Sequence, residues 1–554
     1  MRASTSCATA LAASVLLACS ETATTAGASG GTLLIATGSD PEAVLPPLVH
    51  NSVGKQVIDA LYLPIARTGD TITLIGDSGY APGIAERWTW STDSLSIAFH
   101  IDPRARWHDG QPVRAADVRS TLAIYRAPAI AADAVPALVG VDSVSTPDSL
   151  TFVAWFAHRS PTQFYDLVTN LIPIPAHVYA NILPDSLAAA PAARAPIGSG
   201  KFRFGRWLPG QRVEVIADTA HWMGRPGLDR VAWLVVTDPT AQAAMLAAGE
   251  ADMVEVLNDA AIASLAGDTA VHLVSKPSLA YTMAVFNLHD PRSPARPHPL
   301  FGNRDLRRAL SMAIDRRQLV ASVLDSLGAA MGSPWVSRIG LNDARLLPFD
   351  SAHASALLDT LGWRDTDGDG IRQQGTRALE FTITAPASSR GRRRSLEVME
   401  PLFKAVGVRM KPDLVEPSVQ GTAAEAGRFD VTLLGFNGDP NPNSVRQFWK
   451  TEQRKAGSNY GGYSNPLFDA TIDSAVATFD PTAAHALFIR AGQILAEDAP
   501  AIWIYEAKTV LGIRARFRTA AMPAHAWWAN LDRWEVDPAR RIDRDRIGPR
   551  LPPS

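Results

Sequence analysis

The sequence predicts an α/β protein of at least two lobes, and three observations carry that expectation. Near the middle, Val213, Val215 and Ala217 alternate with Glu214 and Ile216, and Val231 to Val236 is a short apolar run. Asp238 and Thr240 then precede a helical stretch through Ala241 to Ala248 that stops at Gly249, ahead of Met253 and Val254. This is a strand–helix–strand unit. Second, Leu306, Leu310, Ala313 and Ile314 lie at helical spacing, as do Leu396, Met399, Leu402 and Phe403, so two helices face a core. Third, 554 residues exceed what one hydrophobic core organises.

The N-terminus carries one positive charge at Arg2 and an apolar stretch from Ala8 to Ala18, too short to span a bilayer and right for a signal-peptide core. Leu16-Leu17-Ala18-Cys19 has the form of a lipobox. Residues 1–18 are therefore expected to be a signal peptide, Cys19 the lipidated first residue, and 19–30 a flexible tether rich in Thr, Ala, Gly and Ser. An ordinary signal peptide or a soluble start is the plainer alternative. The only cysteines are Cys7 and Cys19, so such processing leaves no disulfide in the body. No later apolar run has transmembrane length, which puts the body on the periplasmic or cell-surface side, held by the anchor alone.

Acidic and basic residues nearly cancel, 55 against 53, with no long basic block, so a nucleic-acid partner is not expected. No repeat of solenoid or propeller period is present. Asp365, Asp367, Asp369 and Gly370 are spaced as in a calcium loop, but Thr376 stands where the bidentate Glu belongs, and a turn between helix and strand is the better reading. GDSGY at Gly76 to Tyr80 is superficially similar to a serine-protease phrase, yet no supporting His and Asp pattern accompanies it, and it reads as a turn. The twelve histidines form no H-E-x-x-H, and His289 and His298 in a Pro-rich loop read as solvent-facing, so no metal is expected. RGRRR at Arg390 to Arg394 opens a helix expected to run through Val406. Its charge suits a carboxylate, although a solvated helix start is the plainer reading.

Several phrases stand in a fixed order: APGIAERWTWS at Ala81 to Ser91, RWHDGQPVRAADV at Arg106 to Val118, PIGSGKFRF at Pro196 to Phe204, PGQRVEVIADTAHW at Pro209 to Trp222. GRPGLDRVAWLVVTDPTAQAAMLAAGEADM at Gly224 to Met253, RRALSMAIDRRQLV at Arg307 to Val320 and NYGGYSNPLFD at Asn459 to Asp469 follow. Together they resemble the family 5 extracellular solute-binding proteins, the peptide, opine and nickel receptors of ABC importers. The resemblance implies a two-lobe periplasmic-binding-protein fold (type II, large cluster) with lobe I at 31–285, an extra subdomain at about 61–196, lobe II at 286–505 and a return to lobe I at 506–554. Two crossing strands, Thr282 to Leu288 and Ala501 to Ile513, would join the lobes.

The same resemblance implies a monomeric receptor that is not an enzyme and needs no cofactor, capturing di- or oligopeptides and handing them to ABC permease subunits. Opines, oligosaccharides or nickel chelates are the alternative ligands, and a signalling module or a secreted hydrolase the alternative classes; no nucleophile–base constellation supports the last. For the site, a strand at Phe429 to Leu434 is expected to lead into a polar loop, Gly435 to Pro442. In peptide-binding members a similar Gly-Trp loop carries an aspartate that receives the ligand's α-ammonium. Asp439 matches that aspartate, Phe436 stands at the aromatic position, and Asn437 shares the loop. The loop is one residue shorter, and Asn441 replaces an acidic residue before Pro442. The plain reading is that Asp439 starts a Pro-containing turn.

Overall fold

The computed structural model describes residues 30–69, 74–324, 327–437, 445–523 and 526–551. The calls on Cys19, on the leader and tether, and on Asp439 lie outside those residues.

An eleven-stranded mixed sheet forms the spine of the molecule. On one side Thr32–Thr37 lies parallel between Arg230–Val235 and Met253–Val254, the two strands joined by the helix Pro239–Ala248. The Asp238 carboxylate accepts from the N–H groups of Thr240 and Ala241, and Gly249 adopts φ 77°, which closes the helix as the sequence predicts. Val213 and Val215 point into a core with Val231 and Trp233. Glu214, which alternates with these valines, is also buried, because Arg206, Arg212 and Arg230 all engage its carboxylate.

On the other side Glu380–Pro386 runs parallel to both Arg409–Val415 and Val431–Asn437. The stripes on Arg304–Met312 and Arg390–Ala405 bury Leu306, Leu310, Leu396, Met399 and Phe403 against one sheet face. Helices Pro466–Ala477 and Pro481–Asp498 cover the other with a separate apolar core. A four-stranded antiparallel sheet, in the order 85–90, 96–101, 151–156, 141–145, is an added subdomain whose apolar residues merge with the core around Thr32–Thr37.

Two strands span both halves. Val271–Phe286 and Ala501–Arg514 pair antiparallel along most of their length. The first begins eleven residues before the expected Thr282 and ends short of Leu288; Ser275 to Ser278, with Pro277 among them, separate its first apolar residues, Val271, Leu273 and Val274, from the later apolar run. Phe436 and Asn437 are likewise strand residues, paired with Tyr281 and Ala280, where a loop was expected. His298 is another correction: it is buried, its Nδ1 accepts from the N–H groups of Leu300 and Phe301, and its Nε2 meets Asp430 at 3.3 Å. The Asp365–Asp369 turn commits its carboxylates to Gly368, Gly370, Ile371 and Gln373 donors.

The chain's two ends are locked by buried charge. Arg516 donates to Asp252 at 2.9 Å, to Asp545 at 2.5 Å and to the Thr32 carbonyl at 2.9 Å, while Asp545 also accepts from Thr32 N–H. Removing one partner strands the others without water. Asp252→Ala is therefore expected to cost on the order of 3–5 kcal/mol, read as a lowered melting temperature in calorimetry; an unchanged melting temperature contradicts the assignment.

Candidate ligand cleft

The crossing strands break register between Pro277 and Tyr281 and again between Thr282 and Met283. Proline has no N–H to give. Ser278 compensates: its Oγ donates to the Ala507 carbonyl at 2.8 Å and accepts from Ala280 N–H at 3.0 Å. This break lies where the two halves meet.

Beside it opens a cavity of about 410 Å³, within the range of small-molecule sites, with Leu279 at its edge. Its wall is built from the end of helix Ser52–Leu61, the loop through Gly69, residues Gly200 to Phe202 and the segment around Trp528. Asp59 accepts from Lys55 at 2.6 Å and from the Trp528 indole at 2.8 Å; Lys201 pairs with Asp532 at 2.8 Å. Arg67 and Arg533 add positive charge to the same wall, and burial lowers the Arg67 pKa. Among the lining residues the charge balance is thus positive.

The PIGSGKF phrase shapes this wall. Ser199 and Gly200 N–H groups donate to the Leu61 carbonyl, and a Cβ on Gly198 would lie 2.0 Å from that oxygen, so the chain passes there only as glycine. His108 pins the phrase. Its Nδ1 accepts from Gly198 N–H at 3.1 Å, which leaves Nε2 to donate to the Gly200 carbonyl at 2.8 Å.

An aromatic wall stands on the other half, beyond Leu279. Tyr281 and Phe436 pair across the strands with rings 5.7 Å apart, and Phe448 meets Phe436 edge-on at 4.6 Å. Leu279 and Tyr281 pack against the same apolar core as Phe436 and Phe448, so Leu279 connects the cavity to this aromatic wall. Arg392, half-buried on the first turn of its helix, lies so close to Gly435 that a Cβ there would sit 2.3 Å from its Nη2. Burial lowers its pKa, which Tyr505 opposes, and among the described residues it meets no carboxylate. The sequence singled out the RGRRR run, but its plainer reading, a solvated helix start, does not hold for Arg392. Across the gap Trp90 touches Phe479 edge-on at 5.4 Å, bridging the added subdomain and the second half.

Of the residues singled out in the sequence, Phe436 stands in this wall; Asn437 ends the strand beside it. Leu279, Tyr281, Trp528 and Asp532 carried no local signal, and Lys201 lies in the PIGSGKFRF phrase, which names no role for it.

Two lobes on one sheet, joined by two long strands with a ligand-sized cavity at the crossing, define a receptor of the two-lobe solute-binding class. A sequence profile of the bacterial extracellular solute-binding proteins, family 5 Middle, matches residues 79–457. The chain belongs to that family. The oligopeptide-binding protein AppA of Bacillus subtilis is 24% identical over 485 residues, 86% of each chain. Heme-binding protein A of Haemophilus influenzae is 24% identical over 459 residues, 78% of this chain and 80% of that one. The fold is that of the substrate-binding protein CtaP of Listeria monocytogenes, with TM-score 0.78, 20% identity and coverage of 92% and 100%. It is also that of Bacillus subtilis AppA in complex with a nonapeptide, with TM-score 0.68, 22% identity and coverage of 92% and 99%.

The His108 contacts carry a pH dependence. Burial pushes the imidazole pKa down from 6.5 to about 4, because a charged ring loses water and the Gly198 contact needs a bare Nδ1. The unfolded chain then binds the proton first as pH falls, so stability is full above pH 6.5 and declines toward about 4. His108→Gln is expected to flatten that part of the melting-temperature profile. An equally steep decline in the variant assigns the acid lability to other groups.

Proposed function

We propose that this protein captures peptides between its lobes and delivers them, chemically unchanged, to the permease of an ABC importer, while anchored outside the cytoplasmic membrane by lipid on Cys19. The observation that carries the reading is the cavity beside the crossing strands, positive in its charge balance and lined as well by Tyr62, Phe202 and Trp528, with the aromatic group of Tyr281, Phe436 and Phe448 beyond Leu279. A peptide presents matching groups: a backbone and apolar side chains for Tyr281, Phe436 and Phe448, and termini of opposite charge. We assign residues 31–285 and 506–554 to one lobe and 286–505 to the other; the separate apolar cores on the two sides support this division.

In this reading Asp439 receives the peptide's α-ammonium just past the strand that carries Phe436 and Asn437. Arg392, lacking a carboxylate among the described residues, suits the carboxylate end by bidentate pairing. Names of relatives support a peptide ligand: AppA is an oligopeptide-binding protein, and its solved structure holds a nonapeptide.

A double comparison tests the site. Asp439→Ala removes one partner of a buried charge pair, which typically costs on the order of 3–5 kcal/mol, so free-amino peptides are expected to weaken by orders of magnitude. N-acetylated peptides bind the parent poorly and lose little more on mutation, which isolates the coupling. Calorimetry that finds equal affinities for free and acetylated peptides removes Asp439 from the site. The anchor is tested separately by intact mass: a mature chain beginning at Cys19 with acyl chains added is expected, each buried methylene giving about 0.8 kcal/mol of membrane affinity. Cys19→Ala should then leave the protein unprocessed or in the soluble fraction, and an unacylated N-terminus elsewhere ends that reading.

A further inference from the structure

We propose that the arginine-rich C-terminal arm, together with the root of the N-terminal tether, forms a face that rests on an anionic lipid surface. Residues 538–551 carry five arginines and two aspartates in a chain whose net charge is −2. Asp545 is buried against Arg516. Asp543 is thus the arm's one carboxylate at the surface, fully exposed and 3.6 Å from Arg546. Arg540, Arg546 and Arg550 are exposed, and Ile542 and Ile547 stand among them at 39% and 37% exposure. Neighbouring charges nearly compensate: Arg225 pairs with Asp229 and Arg518 with Asp537, leaving Glu535 as a nearby exposed carboxylate.

Exposed guanidinium groups interleaved with exposed aliphatic side chains match the composition of peripheral membrane surfaces, where charge is drawn to headgroups and apolar groups enter the interface. The arm's position selects that partner. Arg541 donates to the Gly30 carbonyl at 3.4 Å, Thr32 N–H to Asp545 at 2.9 Å, and Thr32 Oγ1 to the Arg544 carbonyl at 3.3 Å. The arm therefore packs on the first described residues of the chain. Cys19 precedes Gly30 by eleven residues, a reach of at most about 40 Å, whereas a chain of this length has a radius of gyration of roughly 24 Å. An anchor at Cys19, on which this inference rests, holds this end of the first lobe near the membrane and the far lobe away from it.

The test uses the mature chain with Cys19→Ser, so that no acyl group takes part, and vesicles of phosphatidylcholine alone or mixed with phosphatidylglycerol. Sedimentation is expected with the mixed vesicles only, and to weaken as salt rises. At about 1 kcal/mol per basic residue near an anionic surface, or roughly five-fold each, Arg546→Gln with Arg550→Gln lowers partitioning about 25-fold. Ile547→Ser lowers it further. Peptide affinity and melting temperature are measured alongside and are expected to stay as in the parent. No preference of the parent for the mixed vesicles, or a double variant that partitions like the parent, overturns the proposal. Retained vesicle binding in a protein whose Cys19 proves unacylated in cells supports the face and refutes the anchor alone.

Discussion

Everything in this molecule hangs on the pairing of Val271–Phe286 with Ala501–Arg514. Each strand is long enough to serve two sheets at once, so the halves are one hydrogen-bonded surface rather than two bodies on a linker. Cores form separately on either side, because the helices that cover each half are distinct. Where the pairing slips, between Pro277 and Tyr281, the backbone ladder is interrupted and Ser278 carries the bonding in its place. A bulge concentrates twist and bending into a few residues. The same few residues carry Leu279, which lines the cavity, and Tyr281, which meets Phe436. A break at this point is where a hinge between the lobes would bend.

The assembly also needs the end of the chain to return to its start, and it has no disulfide available, since no cysteine lies beyond Cys19. Arg516 does this work with Asp252, Asp545 and the Thr32 carbonyl, all buried. A buried ion network is weak evidence of net stability, because desolvation offsets much of the attraction. Its geometric demand is strict, however. Only one placement of residues 541–546 against Thr32–Thr37 satisfies both carboxylates and the guanidinium, so the network fixes the register of segments more than five hundred residues apart.

Much of the fold was legible in the residues. The strand–helix–strand unit around Asp238 and Gly249 announced itself by period and caps, and the helical stripes at Leu306 and Leu396 landed in the core. Legibility failed where tertiary pairing overrides local pattern. The stretch Ser275 to Ser278 carries no strand signal of its own: Lys276 and Pro277 are in the ladder because Thr509 and Lys508 lie alongside. Nor does composition distinguish a polar residue that is buried because a partner waits for it. His298 was read as solvent-facing, yet it is enclosed beside Asp430, a group distant in sequence, and Glu214 is buried because Arg206, Arg212 and Arg230 meet its carboxylate. Near the strand crossing, Phe436 stood out in its phrase, whereas Leu279 and Trp528 come to line one cavity only because the fold brings them together.

That division of the walls constrains how a ligand acts on the protein. Each lobe satisfies most of its own charges, as Asp59 does with Lys55 and Trp528, so neither wall pulls on the other across an empty gap. One direct contact between them is Trp90 against Phe479, an edge-on pair of a kind worth about 0.5–1.5 kcal/mol beyond its burial. A contact of that size biases an open–closed equilibrium by roughly two- to twelve-fold and cannot hold the lobes shut alone. A ligand that touches both lobes supplies the remaining difference, because it binds fully only when both are near. Capture and release can then be governed by the same small set of contacts, with the cores left untouched.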